Sequence, residues 1–248
     1  MFRLLAALLL LLPAGSTVTA RQSLPSAREI VDRSIKVAGG AEAFKAVTSI
    51  RAKGSVSVPK QNMTGTLDVM SARPNKVVSH GSVSGIGNLD EGFDGKVGWS
   101  IDPITGPSLS AGKELAQRAD DSWFDAPLHA PDYVRQMTVA GQEIFDRRPA
   151  YKVNVVLVSG REKTEYFDVE TGFLIGVEAV HEMPMNMGSA PTREIFRNFR
   201  KYGAFMMPSE QSAQVLGVEQ IVTFMSYEFN TVPESAFALP PQIKALIK

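Results

Sequence analysis

From Ser49 the chain alternates: Ile50, Ala52, Gly54, Val56 and Val58 are interleaved with Arg51, Lys53, Ser55 and Ser57. Met63, Leu67 and Val69 repeat the pattern against Thr64, Thr66 and Asp68, and Val97, Trp99 and Ile101 do so against Lys96, Ser100 and Asp102. A period of two sends successive side chains to opposite faces, so these stretches predict strands with one buried and one wetted face. Residues 150–158, 162–169, 173–181, 192–201, 206–215 and 219–229 also have strand length.

Turn-forming residues punctuate the pattern at hairpin distances: Arg73-Pro74-Asn75, Asp94-Gly95, Asp146-Arg147-Arg148, Ser159-Gly160, Glu170-Thr171-Gly172, Tyr202-Gly203 and Leu216-Gly217. Two stretches depart from it. Residues 27–47 predict an N-terminal helical segment, in which Ser26 and Glu29 have capping-box spacing, Ile30, Ile35 and Val37 form an apolar stripe, and Gly39-Gly40 precedes a short second turn. Residues 112–136 carry Leu115, Ala116, Trp123, Phe124, Leu128 and Val134 with few β-branched residues, which predicts one or two short helices broken at Pro127 and Pro131. The expected architecture is mainly β: a single curved antiparallel sheet, an incomplete barrel of about 9–11 strands, whose concave side is covered by the N-terminal helix and the insertion. No Pro-, Gly- or Ser-rich linker divides the chain, so residues 21–248 read as one domain.

The first 20 residues stand apart, with Arg3, an apolar run from Leu4 to Leu12, a Pro13-Ala14-Gly15 break and Val18-Thr19-Ala20. That order predicts a signal peptide cleaved near Ala20 and export to the periplasm as a soluble protein. The apolar run is too short for a membrane-spanning helix, which needs about 20 residues. There is no cysteine, so disulfides and a lipid-acylated cysteine are both excluded and the fold rests on its core. With 26 basic and 26 acidic residues in all, and Arg3 lost with the leader, no basic excess supports nucleic-acid binding.

Several segments together resemble the LolA/LolB/LppX superfamily of envelope lipoprotein carriers and the LolA-like domain of the periplasmic stress sensor RseB/MucB. They are Ala27-Arg28-Glu29-Ile30-Val31 leading to Ala38-Gly39-Gly40, the hairpin from Gly92 to Trp99, Tyr166-Phe167-Asp168 with Thr171-Gly172-Phe173-Leu174, and Phe199-Arg200-Lys201-Tyr202-Gly203 followed by Pro208. The resemblance implies a strongly curved, incomplete barrel closed by helices, with acyl chains held in its apolar concavity. Lack of cysteine departs from the membrane-anchored members and implies the soluble carrier type.

Motifs of catalysis do not assemble. His80, His129 and His181 are widely spaced and none belongs to a zinc-hydrolase pattern, so they read as ordinary surface or strand histidines. Gly81-Ser82-Val83-Ser84-Gly85 has valine where a nucleophile elbow needs serine, and Gly85-Ile86-Gly87 lacks the later glycine of a dinucleotide fingerprint. Asp120 and Asp121 diverge by about 100° on a helix and read as a solvated face. Arg51 and Lys53 read as solvated strand charges opposite the apolar face. From His181 to Met187, alternate residues His181, Met183, Met185 and Met187 would share a side of an extended chain, suiting either a copper(I) site or the adaptable lining of an apolar pocket.

The function these features support is a non-enzymatic carrier of a lipid or acyl chain, with neither cofactor nor catalytic residues. The alternatives are an envelope sensor or accessory interaction module, and a copper-binding envelope protein. The expected ligand lining is Ile50, Ala52, Val56, Leu67, Val69, Val97, Trp99, Ile101, Val153, Val155 and Met225. The expected partners are the apolar ligand and an envelope membrane protein or lipoprotein.

Overall fold

A computed structural model describes residues 23–183 and 187–247. The expected signal peptide, residues 1–20, and its expected cleavage near Ala20 lie outside the described residues. Helix α1 (Ala27–Ala38) begins with the capping box: the Ser26 hydroxyl accepts from the Glu29 N–H at 3.3 Å, while the Glu29 carboxylate accepts from the Ser26 N–H at 2.7 Å. It ends at Gly39, where φ is +139° and a Cβ would meet the Phe205 ring at 2.8 Å, so glycine is required for both backbone and space. The short helix α2 (Ala41–Ala46) then leads into the sheet.

The sheet has 13 antiparallel strands: β1 (Ser49–Val58), β2 (Met63–Ala72), β3 (Lys76–Val83), β4 (Gly87–Phe93), β5 (Gly98–Asp102), β6 (Gly106–Leu109), β7 (Val134–Phe145), β8 (Arg148–Leu157), β9 (Glu162–Asp168), β10 (Leu174–Glu182), β11 (Ser189–Tyr202), β12 (Phe205–Val215) and β13 (Val218–Phe229). Their order is β6-β5-β4-β3-β2-β1-β13-β12-β11-β10-β9-β8-β7, and the end strands do not pair, so the sheet is not a closed barrel. The strand number exceeds the expected 9–11. The difference lies in polar or short segments: β3 and β4 carry Ser79, His80, Ser82, Asn88, Asp90 and Glu91, β6 has four residues and contains Pro107, and bulges interrupt the pairing of β7. Neighbouring ladders, and not apolar alternation, hold these strands.

Between β6 and β7 the insertion forms α3 (Gly112–Asp121) and a 3-10 turn (Ala126–Leu128), and β7 already starts at Val134, inside the stretch expected to be helical. Helix α3 also reports the curvature. Arg118 bonds Glu91 on β4 at 3.1 Å, and Gln117 accepts from the Glu182 N–H at the end of β10 at 2.7 Å. Strands β4 and β10 lie several places apart, which on a flat sheet is about 30 Å or more at about 4.8 Å per strand. A helix of ten residues spans only about 15 Å. The sheet therefore curls around the insertion, which sits on its concave side.

Apolar packing occurs on both faces. On the concave face Ile30, Val31 and Ile35 of α1 pack against Val153, Val155, Leu157 and Phe167. On the other face the C-terminal segment, with a 3-10 turn (Glu234–Phe237) and α4 (Pro241–Lys244), places Phe237 and Ile243 on Met70, Val78 and Trp99. A third cluster on that convex face gathers Phe145, Tyr166, Ile175 and Ile195, with the Phe145 and Tyr166 rings stacked at 4.0 Å.

Candidate functional site

Register assigns the faces, because directly paired residues share one. Ala52 pairs with Val69, Gly54 with Leu67 and Val222 with Val56, so Ile50, Ala52, Val56, Leu67 and Val69 stand on the concave face. The pairs Val153–Glu165–Val177–Glu194–Ala213–Gln220 carry the same face to Val153 and, two residues on, Val155. Phe229 opposite Ile50, Tyr227 opposite Ala52 and Phe224 opposite Gly54 complete an aromatic strip along β13 that the apolar alternation of β1 alone did not reveal.

Beneath α2 and the insertion, Phe44, Ile50, Phe124, Leu128, Phe205, Met207 and Phe229 enclose a hollow of about 70 Å³. The Phe205 ring bridges Phe44 and Phe229 at centroid distances of 4.9 and 4.8 Å. Arg73, in the turn after β2, fastens its cover. The guanidinium pairs with Asp125, donates to the carbonyls of Val47 at 2.7 Å and Phe44 at 3.0 Å, and lies 5.0 Å from the centre of the Phe124 ring. One side chain thus ties α2 and the insertion to the sheet.

Deeper on the concave side is a buried charged cluster. Glu165 bonds His129 Nε2 at 2.6 Å and Lys163 Nζ at 2.9 Å, and Lys163 lies 5.3 Å from the centre of the Tyr133 ring. Burial raises the Glu165 carboxyl, but the charges of His129 and Lys163 overcome it and hold the group down at about 2. Burial likewise works against the Lys163 ammonium, and Glu165 more than offsets it, so that pKa is raised. Glu194, which accepts from Gln211 at 3.0 Å, has its carboxyl pushed up by burial and by the charge of Asp121. His129 is therefore a structural partner and not an ordinary surface histidine. Asp120 and Asp121, expected to diverge, both reach the Arg161 guanidinium, at 3.4 and 2.9 Å.

No family model matches the sequence, and no curated protein matches it. Among solved structures, a LolA superfamily protein of Nitrosomonas europaea superposes with a TM-score of 0.56 at 10% identity, over 87% of this chain and 99% of that one. A DUF1329 family protein of Desulfovibrio piger gives 0.53 at 10% identity, over 85% and 96%. The outer membrane lipoprotein-sorting protein domain of Vibrio parahaemolyticus gives 0.50 at 11% identity, over 84% and 97%. The fold is LolA-like.

In this LolA-like frame the expected lining residues separate. Trp99 pairs with Gly92, Gly92 with Val78, Val78 with Met70 and Met70 with Arg51, which places Trp99 and Ile101 on the convex face. Val97 joins them under Phe237 and Ile243. Alternation is blind to which face a strand turns inward, and here the C-terminal segment buries the second one. Met225 stands at the bulge opposite Lys53 and Gly54 and is 67% exposed. Val153 and Val155 are on the concave face but fully buried beneath α1. Arg51 and Lys53, on the convex face of a central strand, form cross-strand pairs, Arg51 with Asp68 at 2.5 Å and Lys53 with Glu228 at 3.9 Å.

Of the methionine run, His181 lies at the end of β10, Met183 follows the strand, Met187 is exposed in the loop, and residues 184–186 lie outside the described residues. Burial lowers the His181 pKa. The described residues also form a groove of about 240 Å³ between Arg33 of α1 and Tyr151, and an open trough of about 1240 Å³, lined by Asn154, Thr164, Glu178 and Arg193 among others, on the face of β7 to β13 away from the helices. No helix among the described residues is long and apolar enough to cross a membrane.

Proposed function

We propose that this protein is a non-enzymatic periplasmic carrier of a lipid or a lipoprotein acyl chain, held on the concave face of β13, β1 and β2. The observation that carries the reading is a contrast in burial on one face. Under α1, Val153 and Val155 are completely covered, whereas Ile50, Leu67, Val69, Met207, Phe224, Tyr227 and Phe229 remain only half-buried although they face the interior of the curve. Apolar and aromatic surface left partly open on a concave face is what an apolar ligand would complete. Likeness to the LolA superfamily protein and to the lipoprotein-sorting domain supports the same class of cargo.

The hollow of about 70 Å³ is smaller than the roughly 300–1,000 Å³ of ordinary ligand pockets, so loading requires α2 and the segment around Phe124 to lift. Arg73 is the group that opposes this. Burial of an acyl chain contributes about 0.8 kcal/mol per methylene, enough for reversible binding without a covalent step. Titration with a fluorescent fatty acid tests the reading. Leu67→Trp and Val69→Trp, which fill the half-open strip, should weaken binding more than tenfold, while an outward change at Asn154 leaves it unaltered. Binding unaffected by both fillings in folded protein would refute the assigned surface.

A further inference from the structure

The β7 end of the sheet rolls over the face away from the helices. Asp146, in the turn after β7, accepts two bonds of 2.7 Å from the Arg197 guanidinium on β11, and a Cβ on Gly176 of β10 would meet the Phe145 ring at 2.2 Å. On a flat sheet β7 and β11 would stand four strands, about 19 Å, apart. The stacked rings of Phe145 and Tyr166, with Ile195, fill one end of the roll, and the trough of about 1240 Å³ opens next to them. Ladder pairing sets Thr138, Asn154, Thr164, Glu178, Arg193 and Gln214 side by side along its floor, one from each of strands β7 to β12.

Two opposite charges in this row are each fixed by an aromatic ring. The Tyr166 hydroxyl donates to Glu178 at 2.8 Å, and the Arg193 guanidinium lies over the Phe145 ring at 4.4 Å from its centre. The 3.7 Å from Arg193 Nε to the Glu178 carboxylate is too long for a hydrogen bond, and Nε is buried without a partner among the described residues. The half-exposed guanidinium thus keeps its terminal N–H fork, which suits a carboxylate bound by two parallel bonds, for a group in the trough. The other cations of the wall are engaged: Lys163 with Glu165 at 2.9 Å, and Lys60 with the Gly217 carbonyl at 3.1 Å. Exposed Val180 and Leu216 add aliphatic surface along the wall. A peptide supplies what this lining leaves unmatched: a carboxylate for Arg193, main-chain amides for Asn154, Thr164 and Gln214, and apolar side chains for Val180 and Leu216. We propose that the trough binds a carboxylate-bearing peptide in extended form across the strands, with one of its carboxylates on Arg193. The five strand spacings from β7 to β12, about 24 Å, are spanned by about seven extended residues.

This site lies on the face opposite the half-open strip of β13, β1 and β2, so peptide and apolar cargo should bind independently. The test offers the immobilised protein two pools of random heptapeptides, identical except that the central residue is aspartate in one and asparagine in the other, and counts retained peptide by mass spectrometry. The aspartate pool should be retained at least tenfold more than the asparagine pool. Arg193→Gln should erase that preference. Asn154→Trp, a change at an exposed position that fills the trough without removing the guanidinium, should lower retention of the aspartate pool at least tenfold and leave the binding of a fluorescent fatty acid unaltered. Circular dichroism confirms the fold of each variant. Saturating fatty acid should displace no peptide. Absence of retention, equal retention of the two pools by the wild type, a preference that survives Arg193→Gln, retention that survives Asn154→Trp, or displacement by fatty acid would each overturn the proposal.

Discussion

Glu165 is buried on the concave side with one carboxylate oxygen against His129 and the other against Lys163. Its folded pKa of about 2 lies below the ordinary carboxylate value, so its contribution to stability is complete above the unfolded pKa near 4.5 and is lost as pH falls through about 2. Acid denaturation followed by tryptophan fluorescence should therefore have a component between about pH 4.5 and 2 that is absent from Glu165→Gln. At neutral pH that variant leaves Lys163 without its counter-charge and should cost about 3–5 kcal/mol, read from urea midpoints. Arg73 poses a kinetic question. Arg73→Gln removes the Asp125 pair and loosens the hold on α2, and stopped-flow mixing with a fluorescent fatty acid should show uptake about tenfold faster, equal to about 1.4 kcal/mol. Unchanged uptake would mean that the cover does not limit entry. None of these partnerships was legible in the sequence: His129 and Glu165 are 36 residues apart, and their meeting depends on where the insertion lands.

Most elements were legible because strand length and turn chemistry act locally. The Ser26 capping box, the helix stop at Gly39 and the hairpins at Ser159-Gly160 and Leu216-Gly217 fall where their residues predict. Strands β3 and β4 escaped because neither face is strongly apolar, and β7 escaped because its bulges break the alternation. The direction in which each strand faces was not legible either. Trp99 alternates as convincingly as Leu67, yet only the C-terminal segment, more than a hundred residues later in sequence, makes its face a buried one. This yields a prediction for that segment. Phe237 is 7% exposed against Met70 and Trp99, so Phe237→Ala should cost about 3–5 kcal/mol while fatty-acid affinity, which the carrier account assigns to the other face, stays within experimental scatter. A parallel loss of affinity would join the two faces in one site.

At the scale of the molecule, a sheet with open ends curls around short helices and divides its concave face into a filled half under α1 and a half-open strip along β13, β1 and β2. The filled half supplies stability: Val153 and Val155 leave no room, so enlarging either should destabilise the fold by about 1–3 kcal/mol through overpacking. The half-open strip is where cargo would lie. The most direct measurement is mass spectrometry of an organic extract from protein expressed as the full sequence, residues 1–20 included, and purified without detergent, beside the Leu67→Trp, Val69→Trp double variant treated identically. The carrier account predicts an acyl lipid in stoichiometric amount with the wild type and at least tenfold less with the folded variant. A wild type that yields no lipid and binds no fatty acid, or a variant that retains the full amount, would contradict it.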